Sequence, residues 1–433
     1  MDKAPCSETE ARFAAALSDE GRARDAERAL TERLTAQLGD EAPDLLFVFA
    51  THHYGTALEE LGTRLARATG AGIVLGCTAQ SVIGEERELE GRPGMAAWAA
   101  RLPGTELRSF HARAFREDEG AQPTFDTLPP VGETERSSML LLADPFTFPV
   151  EDYLDTLNER WPGLPVLGGM ASGATAPGQT LLFTEEGVKE GGALGVVLEG
   201  EMELVPVVSQ GCRPVGKPWV VTECERNHIK KLGGRPALEA LMETWNTLPR
   251  EDRELLQSAP FLGLASEALQ GRSHRSDFLV RSIMGLHQRE RSIAVTDFVR
   301  RGQTVQLLVR DADSAGNDLR HLLSTKGRGA LHAGNGHPPG GALLFSCNGR
   351  GKRMFGKPHH DIGCVREGLE GDAAIAGFFA AGEIGPVGSR NFVHGFSAAV
   401  AVFRPRTLVE AASPEARNTT PATDPVDRDV EER

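Results

Sequence analysis

A chain of 433 residues exceeds what a single core ordinarily fills, so two or three packed units are expected. Hydrophobic residues at 40% and charged residues at 25% supply an ordinary globular core, while a formal net charge of -14 excludes an affinity built on neutralising phosphates; nucleic acid and anionic membrane are poor partners. No run approaches the roughly 18 apolar residues of a membrane span, and the opening residues lack a signal-peptide pattern, so a cytoplasmic protein is expected. The six cysteines, at positions 6, 77, 212, 224, 347 and 364, show no Cys-x-x-Cys spacing and read as reduced thiols.

In chain order, residues 7–40 read as helix. Ala23, Ala26, Leu30, Leu34 and Leu38 form an apolar stripe opposite Glu and Arg, so residues 1–42 are expected to be an N-terminal helical cap. A weak repeat of strand, helix and strand then appears three times. The first copy runs from an apolar strand at 45–49, past His52, His53 and Tyr54 and a helix at 56–69, to a strand at 73–79. The second runs from 138–143, through a helix at 150–161, to 166–173. The third runs from 341–347, through a helix at 363–369, to 376–383. Each copy is followed by a strand of small residues, at 95–102, 192–198 and 395–403, which makes the unit β-α-β-β. Strands ending in Gly and small polar residues let a backbone approach a ligand closely, or else serve only as tight turns.

Between the second and third copies the pattern changes. Strands at 204–209 and 218–222, a helix at 235–245 and strands at 278–284, 292–298 and 303–309 mark a second domain. The expected division is 43–210, 211–406, and a disordered acidic tail over 407–433, where Pro, Thr and acidic residues leave little to bury.

Several motifs, in order, resemble the FIST family. Leu75-Gly76-Cys77-Thr78-Ala79, Val82-Ile83-Gly84 and Gly168-Gly169 are similar to the FIST N region, and Gln210-Gly211-Cys212-Arg213-Pro214-Val215-Gly216 to the family's central stretch. Cys347-Asn348-Gly349-Arg350-Gly351, Gly382-Glu383-Ile384-Gly385-Pro386 and Asn391-Phe392-Val393-His394-Gly395-Phe396 are similar to the FIST C signature. The resemblance implies a sensory module of signal transduction that binds a small ligand such as an amino acid, and an α/β fold of two packed FIST regions built from repeated β-α-β-β units with mixed sheets. It supplies no set of binding residues.

The residues themselves suggest one. Cys347, Asn348 and Arg350 follow an apolar strand, where a guanidinium beside glycine amides could grip a carboxylate. Arg353 adds a second cation. Glu383, between glycines, could receive an ammonium group, completing the recognition of a zwitterion. Arg390, Asn391 and His394 are further polar candidates before the last strand. Each has a plainer reading: Cys347 as a small buried hydrophobe, Arg350 and Arg353 as solvated cations, Glu383 as a cap or a partner of Arg390, His394 as a structural histidine.

Enzyme patterns fall short. Residues 351–357 have phosphate-loop spacing, but Pro358 stands where a magnesium-binding hydroxyl belongs. Ser397 lacks the closing Gly and the helix of a nucleophile elbow. His359, His360, Asp361, His52 and His53 lack a further ligand at suitable spacing, so no metal and no cofactor is expected. The reading is non-catalytic ligand sensing, possibly with a signalling protein as partner. The alternatives are an enzyme using Cys347 as nucleophile, and an acidic scaffold for protein interaction.

Overall fold

The structure, a computed structural model, describes residues 10–39, 41–118, 120–258, 260–265, 278–327, 340–369 and 372–406. The tail expected over 407–433 lies outside them.

Each of the three repeats founds a six-stranded mixed sheet. Its centre is a parallel pair: Leu45–Thr51 with Ile73–Ala79, Ser137–Ala143 with Val166–Met170, and Gly341–Cys347 with Ala374–Ala380. The first strand of each pair is buried at every position, the pattern of a strand covered on both faces. A glycine fixes each pair in register. Gly76, Gly168 and Gly377 lie opposite Val48, Leu141 and Leu344, and a Cβ on them would stand 2.0, 1.8 and 1.8 Å from those residues' carbonyl oxygens. The repeat therefore has one steric requirement met three times. The strands Met95–Arg101, Ala193–Gly200 and Ser397–Pro405 then pair antiparallel on the other side of the first strand.

After its second strand, each repeat sends a hairpin into a neighbour's sheet. The hairpin Ser81–Gly84 with Arg87–Glu90 joins the third sheet, Leu181–Thr184 with Gly187–Glu190 joins the first, and Glu383–Val387 with Arg390–His394 joins the second. The registers match: Ile83 lies opposite Gly377, Phe183 opposite Gly76, and Ile384 opposite Gly168. This cyclic exchange gives the body a pseudo-threefold arrangement. Its inner faces meet in a shared core containing Phe47 and Trp98, Leu140 and Leu167, and Phe345, Phe378 and Phe403. Helices cover the outer faces: Ala23–Leu38 and Leu61–Thr69 the first sheet, Val150–Arg160 the second, and Ala312–Leu322 with His360–Leu369 the third.

Two expectations change. Among the described residues of the helix expected over 7–40, only Ala23–Leu38 is helical, and there the five stripe residues are buried as expected. Arg12–Ser18 is instead an edge strand paired antiparallel with Met95–Arg101, because its Ala and Leu run is buried by sheet pairing rather than by a helical face. Likewise, Met202–Gln210 pairs with Ser397–Pro405 and belongs to the third sheet.

The described strands between Cys212 and Arg310 form an antiparallel barrel. Cys212–Glu225 bends between Val215 and Trp219, so its first half pairs with Thr304–Arg310 and its second with His228–Leu232. Phe261–Ala265, Phe278–His287 and Ser292–Val295 close the circuit around Val221, Leu262, Ile293 and Leu307. Its last strand ends at Arg310, against the third sheet.

Candidate functional site

The pseudo-symmetry shows where the sequence breaks its own pattern. In the exchanged hairpins, Val82, Leu182 and Glu383 occupy the equivalent position, opposite Phe378, Cys77 and Gly169. All three are fully buried. Two of the repeats thus place an apolar side chain there and the third places a carboxyl, which burial penalises unless it is paired.

Glu383 is half satisfied. Its Oε2 accepts hydrogen bonds from Ser397 N at 3.1 Å and Ser397 Oγ at 2.8 Å, while its buried Oε1 has no partner. Burial pushes the carboxyl up to about 8 against the pull of Ser397, Arg350 and the neighbouring Cys347 thiol, so it is largely protonated at neutral pH. The Cys347 thiol lies beside it, at the end of Gly341–Cys347, and Gly349 N donates to its sulfur at 3.4 Å. Burial and the Glu383 charge push that thiol up to about 12. Asn348 keeps its backbone N–H on Ala380 O at 2.9 Å, and its buried Oδ1 is unpartnered.

Arg350 lies beneath, wholly buried. Its Nε and Nη2 donate to Asp361 Oδ2 and Oδ1 at 2.7 and 2.8 Å, and Ser346 Oγ adds a bond to Oδ2 at 2.7 Å. His360 Nδ1 is 3.0 Å from Oδ1. Burial alone would raise the Asp361 carboxyl, but the Arg350 guanidinium and these hydrogen bonds outweigh it and hold the group well below the usual carboxylate range. From the first repeat's hairpin, Glu88 Oε1 accepts Asp361 N and Ile362 N at 2.9 and 3.0 Å, capping the helix His360–Leu369, while Oε2 is buried and unpartnered. Burial and the Asp361 charge push Glu88 up to about 7.

The barrel closes the cluster from the other side. Arg310 donates through Nη2 to Gly349 O, and its guanidinium carbon lies 4.8 Å from the centre of the Phe396 ring, which packs on Phe261 at 4.5 Å. Its Nε is buried without a partner, and no carboxylate pairs with it among the described residues. Burial lowers its pKa. Of the five described residues with a buried, unpartnered side-chain polar atom, four are Glu88, Arg310, Asn348 and Glu383. Two non-glycine residues with φ of 61°, Phe396 and His359, flank the same region; such strain concentrates at functional sites.

Set beside known proteins, the chain matches the FIST N domain over residues 44–235 and the FIST C domain over residues 237–386. It belongs to the FIST family. Among its relatives is an uncharacterized protein of Mycobacterium bovis, 36% identical over 401 residues, which span 92% of this chain and 97% of the relative. An uncharacterized protein of Mycobacterium tuberculosis is 37% identical over 370 residues, or 85% and 93% of the two chains. FIST domains are sensory domains of signal transduction regarded as binders of small ligands.

The FIST C signature thus lines the cluster, but not all its residues enter it. Cys347, Asn348, Arg350 and Glu383 come together. The carboxylate that Arg350 was expected to take from a ligand is supplied by Asp361 of the same chain, which corrects that role. Arg353 is exposed at the rim. Asn391 faces away, its carboxamide bonded to Asn158 and Leu164 O, and Arg390 pairs with Asp155 at 3.0 Å on the surface. His394 bonds Gly385 O through Nε2 at 3.0 Å, and burial pushes it down to about 4. Sequence reasoning missed Arg310 and Glu88, whose only local signal is a charge in or ending a strand with apolar neighbours. Two open hollows on the described surface, about 680 Å³ lined by residues such as Arg226 and Lys230 and about 470 Å³ by Asp44 and Arg101, contain none of these residues. The FIST C cluster meets solvent at half-buried Asn348, Gly349 and Arg310. No helix among the described residues is long and apolar enough to cross a membrane.

Proposed function

We propose that this chain is a non-catalytic cytoplasmic sensory module that binds a small polar metabolite, an amino acid, at the junction of the barrel and the third sheet. Arg310 takes the carboxylate, Asn348 Oδ1 and Glu383 Oε1 take the ammonium group, Glu383 releasing its proton to solvent as the cation arrives, and Cys347 packs beside them. Residues 43–210 and 211–406 are taken as its two FIST regions.

The supporting observation is the gathering of unpartnered buried polar atoms on Arg310, Asn348 and Glu383. Each such atom left dry costs about 1–3 kcal/mol, and a ligand with a carboxylate and an ammonium group would satisfy all three. The raised Cys347 thiol supports binding over nucleophilic chemistry, because the reactive thiolate is scarce at neutral pH. Arg310 belongs to the barrel and Glu383 to the body, so an occupant would bridge the two, a means of passing its arrival to a signalling partner.

The test is thermal denaturation across the twenty standard amino acids. The reading predicts a rise in Tm with at least one of them, of about 2.7 kcal/mol in stability at a hundredfold excess over Kd, and its loss in Arg310→Gln. A flat response across the panel removes the basis for it.

A further inference from the structure

The amino-acid reading is sharpened by the charge around the cluster. In a chain of net charge -14, the segment leaving Gly341–Cys347 is basic, with Arg350, Lys352, Arg353 and Lys357 close together. Arg350 is neutralised by Asp361. The side chains of Lys352, Arg353 and Lys357 are exposed and pair with no carboxylate among the described residues. The neighbouring carboxylate, Glu90, spends its Oε1 on the backbone N–H of Lys352 at 2.9 Å rather than on a cation. Arg353 lies in the short helix Lys352–Phe355, which follows directly on the turn at Gly349 whose carbonyl accepts from Arg310. Two guanidinium groups without a carboxylate partner among the described residues therefore meet the loop around Gly349, one half-buried and one in solvent, with two further cations beside them.

Like charges held together in this way raise the free energy of the empty site, and a lone carboxylate on Arg310 leaves Arg353 uncompensated. We propose that the ligand is an acidic α-amino acid, its α-carboxylate on Arg310, its ammonium group on Asn348 and Glu383, and its side-chain carboxylate turned to Arg353. The inference rests on the amino-acid reading above. The exposed cations also attract an anion from solution, so its association slows as salt is added.

Calorimetric titration with L-glutamate, L-glutamine, L-aspartate and L-asparagine tests it, since each acid and its amide share a shape and differ in charge. The acids are expected to bind about tenfold more tightly at low salt, a ratio that shrinks with ionic strength and falls to near one in Arg353→Gln. Equal affinity of acid and amide, or a preference that survives Arg353→Gln, overturns the acidic-ligand assignment while the amino-acid reading stands. Failure of all four with another amino acid still binding does the same. Failure of every amino acid overturns both.

Discussion

Arg350 and Asp361 form a bidentate ion pair, with bonds of 2.7 and 2.8 Å and neither side chain exposed to solvent. The pair ties the loop after Gly341–Cys347 to the first turn of His360–Leu369. It holds in place the backbone that presents Cys347, Asn348 and Gly349.

Arg350→Ala leaves the Asp361 carboxylate buried without its cation and is expected to destabilise the fold by about 3–5 kcal/mol. Asp361 also sets an acid limit. Its folded pKa lies below the usual carboxylate value, so its contribution is present above that value and lost as pH falls beneath it. Urea midpoints of the wild type should drop on acidification below about pH 4, and Asp361→Asn, less stable throughout, should show a weaker drop. A pH-independent difference between the two would count against a charged Asp361.

Glu383 has the opposite sign. Its folded pKa is raised to about 8, so the stability it contributes is fully present below the ordinary carboxylate value and is lost as pH rises through 8. Glu383→Gln keeps the shape and removes the titration. Its urea midpoint is predicted to exceed that of the wild type at pH 9, with the gap narrowing towards pH 5. A gap that does not change with pH would mean that Glu383 is not the titrating group.

Cys347 should react slowly for a cysteine beside arginines. Burial and Glu383 keep its thiol protonated to about 12, so alkylation of Cys347 by iodoacetamide, followed by peptide mass analysis, should still be accelerating at pH 10. A rate that levels off near pH 7 would revive the nucleophile reading.

The glycines of the parallel pairs carry a steric prediction. At Gly377 a Cβ would lie 1.8 Å from Leu344 O, whereas at Gly395 it meets nothing within 4 Å. Gly377→Ala should cost at least about 1–3 kcal/mol in denaturant unfolding, and Gly395→Ala should remain within about 0.5 kcal/mol of the wild type. Equal effects at the two positions would refute the close approach of the strands.

These residues also show how far the sequence could be read. The three repeats were legible because the first strand of each parallel pair holds an apolar run and the second carries Gly among small residues, as at Leu45-Leu46-Phe47-Val48-Phe49 and Leu75-Gly76. The exchange of hairpins was not, since the run Ser81–Gly84 has the same local pattern whichever sheet it joins. Cys347, Asn348 and Glu383 stood out as polar residues ending apolar strands. Arg350 was legible as important but not as occupied, because Asp361 reaches it only through the turn that His359 makes at positive φ. Arg310 comes from the barrel, and no spacing in the chain announces that its strand ends against Gly349.

The central claim is that Arg310 waits for a carboxylate. Side-chain ¹⁵N NMR of the arginine Nε–H groups, with Arg310 assigned by its absence in Arg310→Lys, measures this directly. On adding the twenty amino acids together, the Arg310 Nε–H signal is predicted to move as it gains a partner, with Arg350 held fixed by Asp361. An Arg310 signal that stays in place while the protein binds one of them would contradict the account.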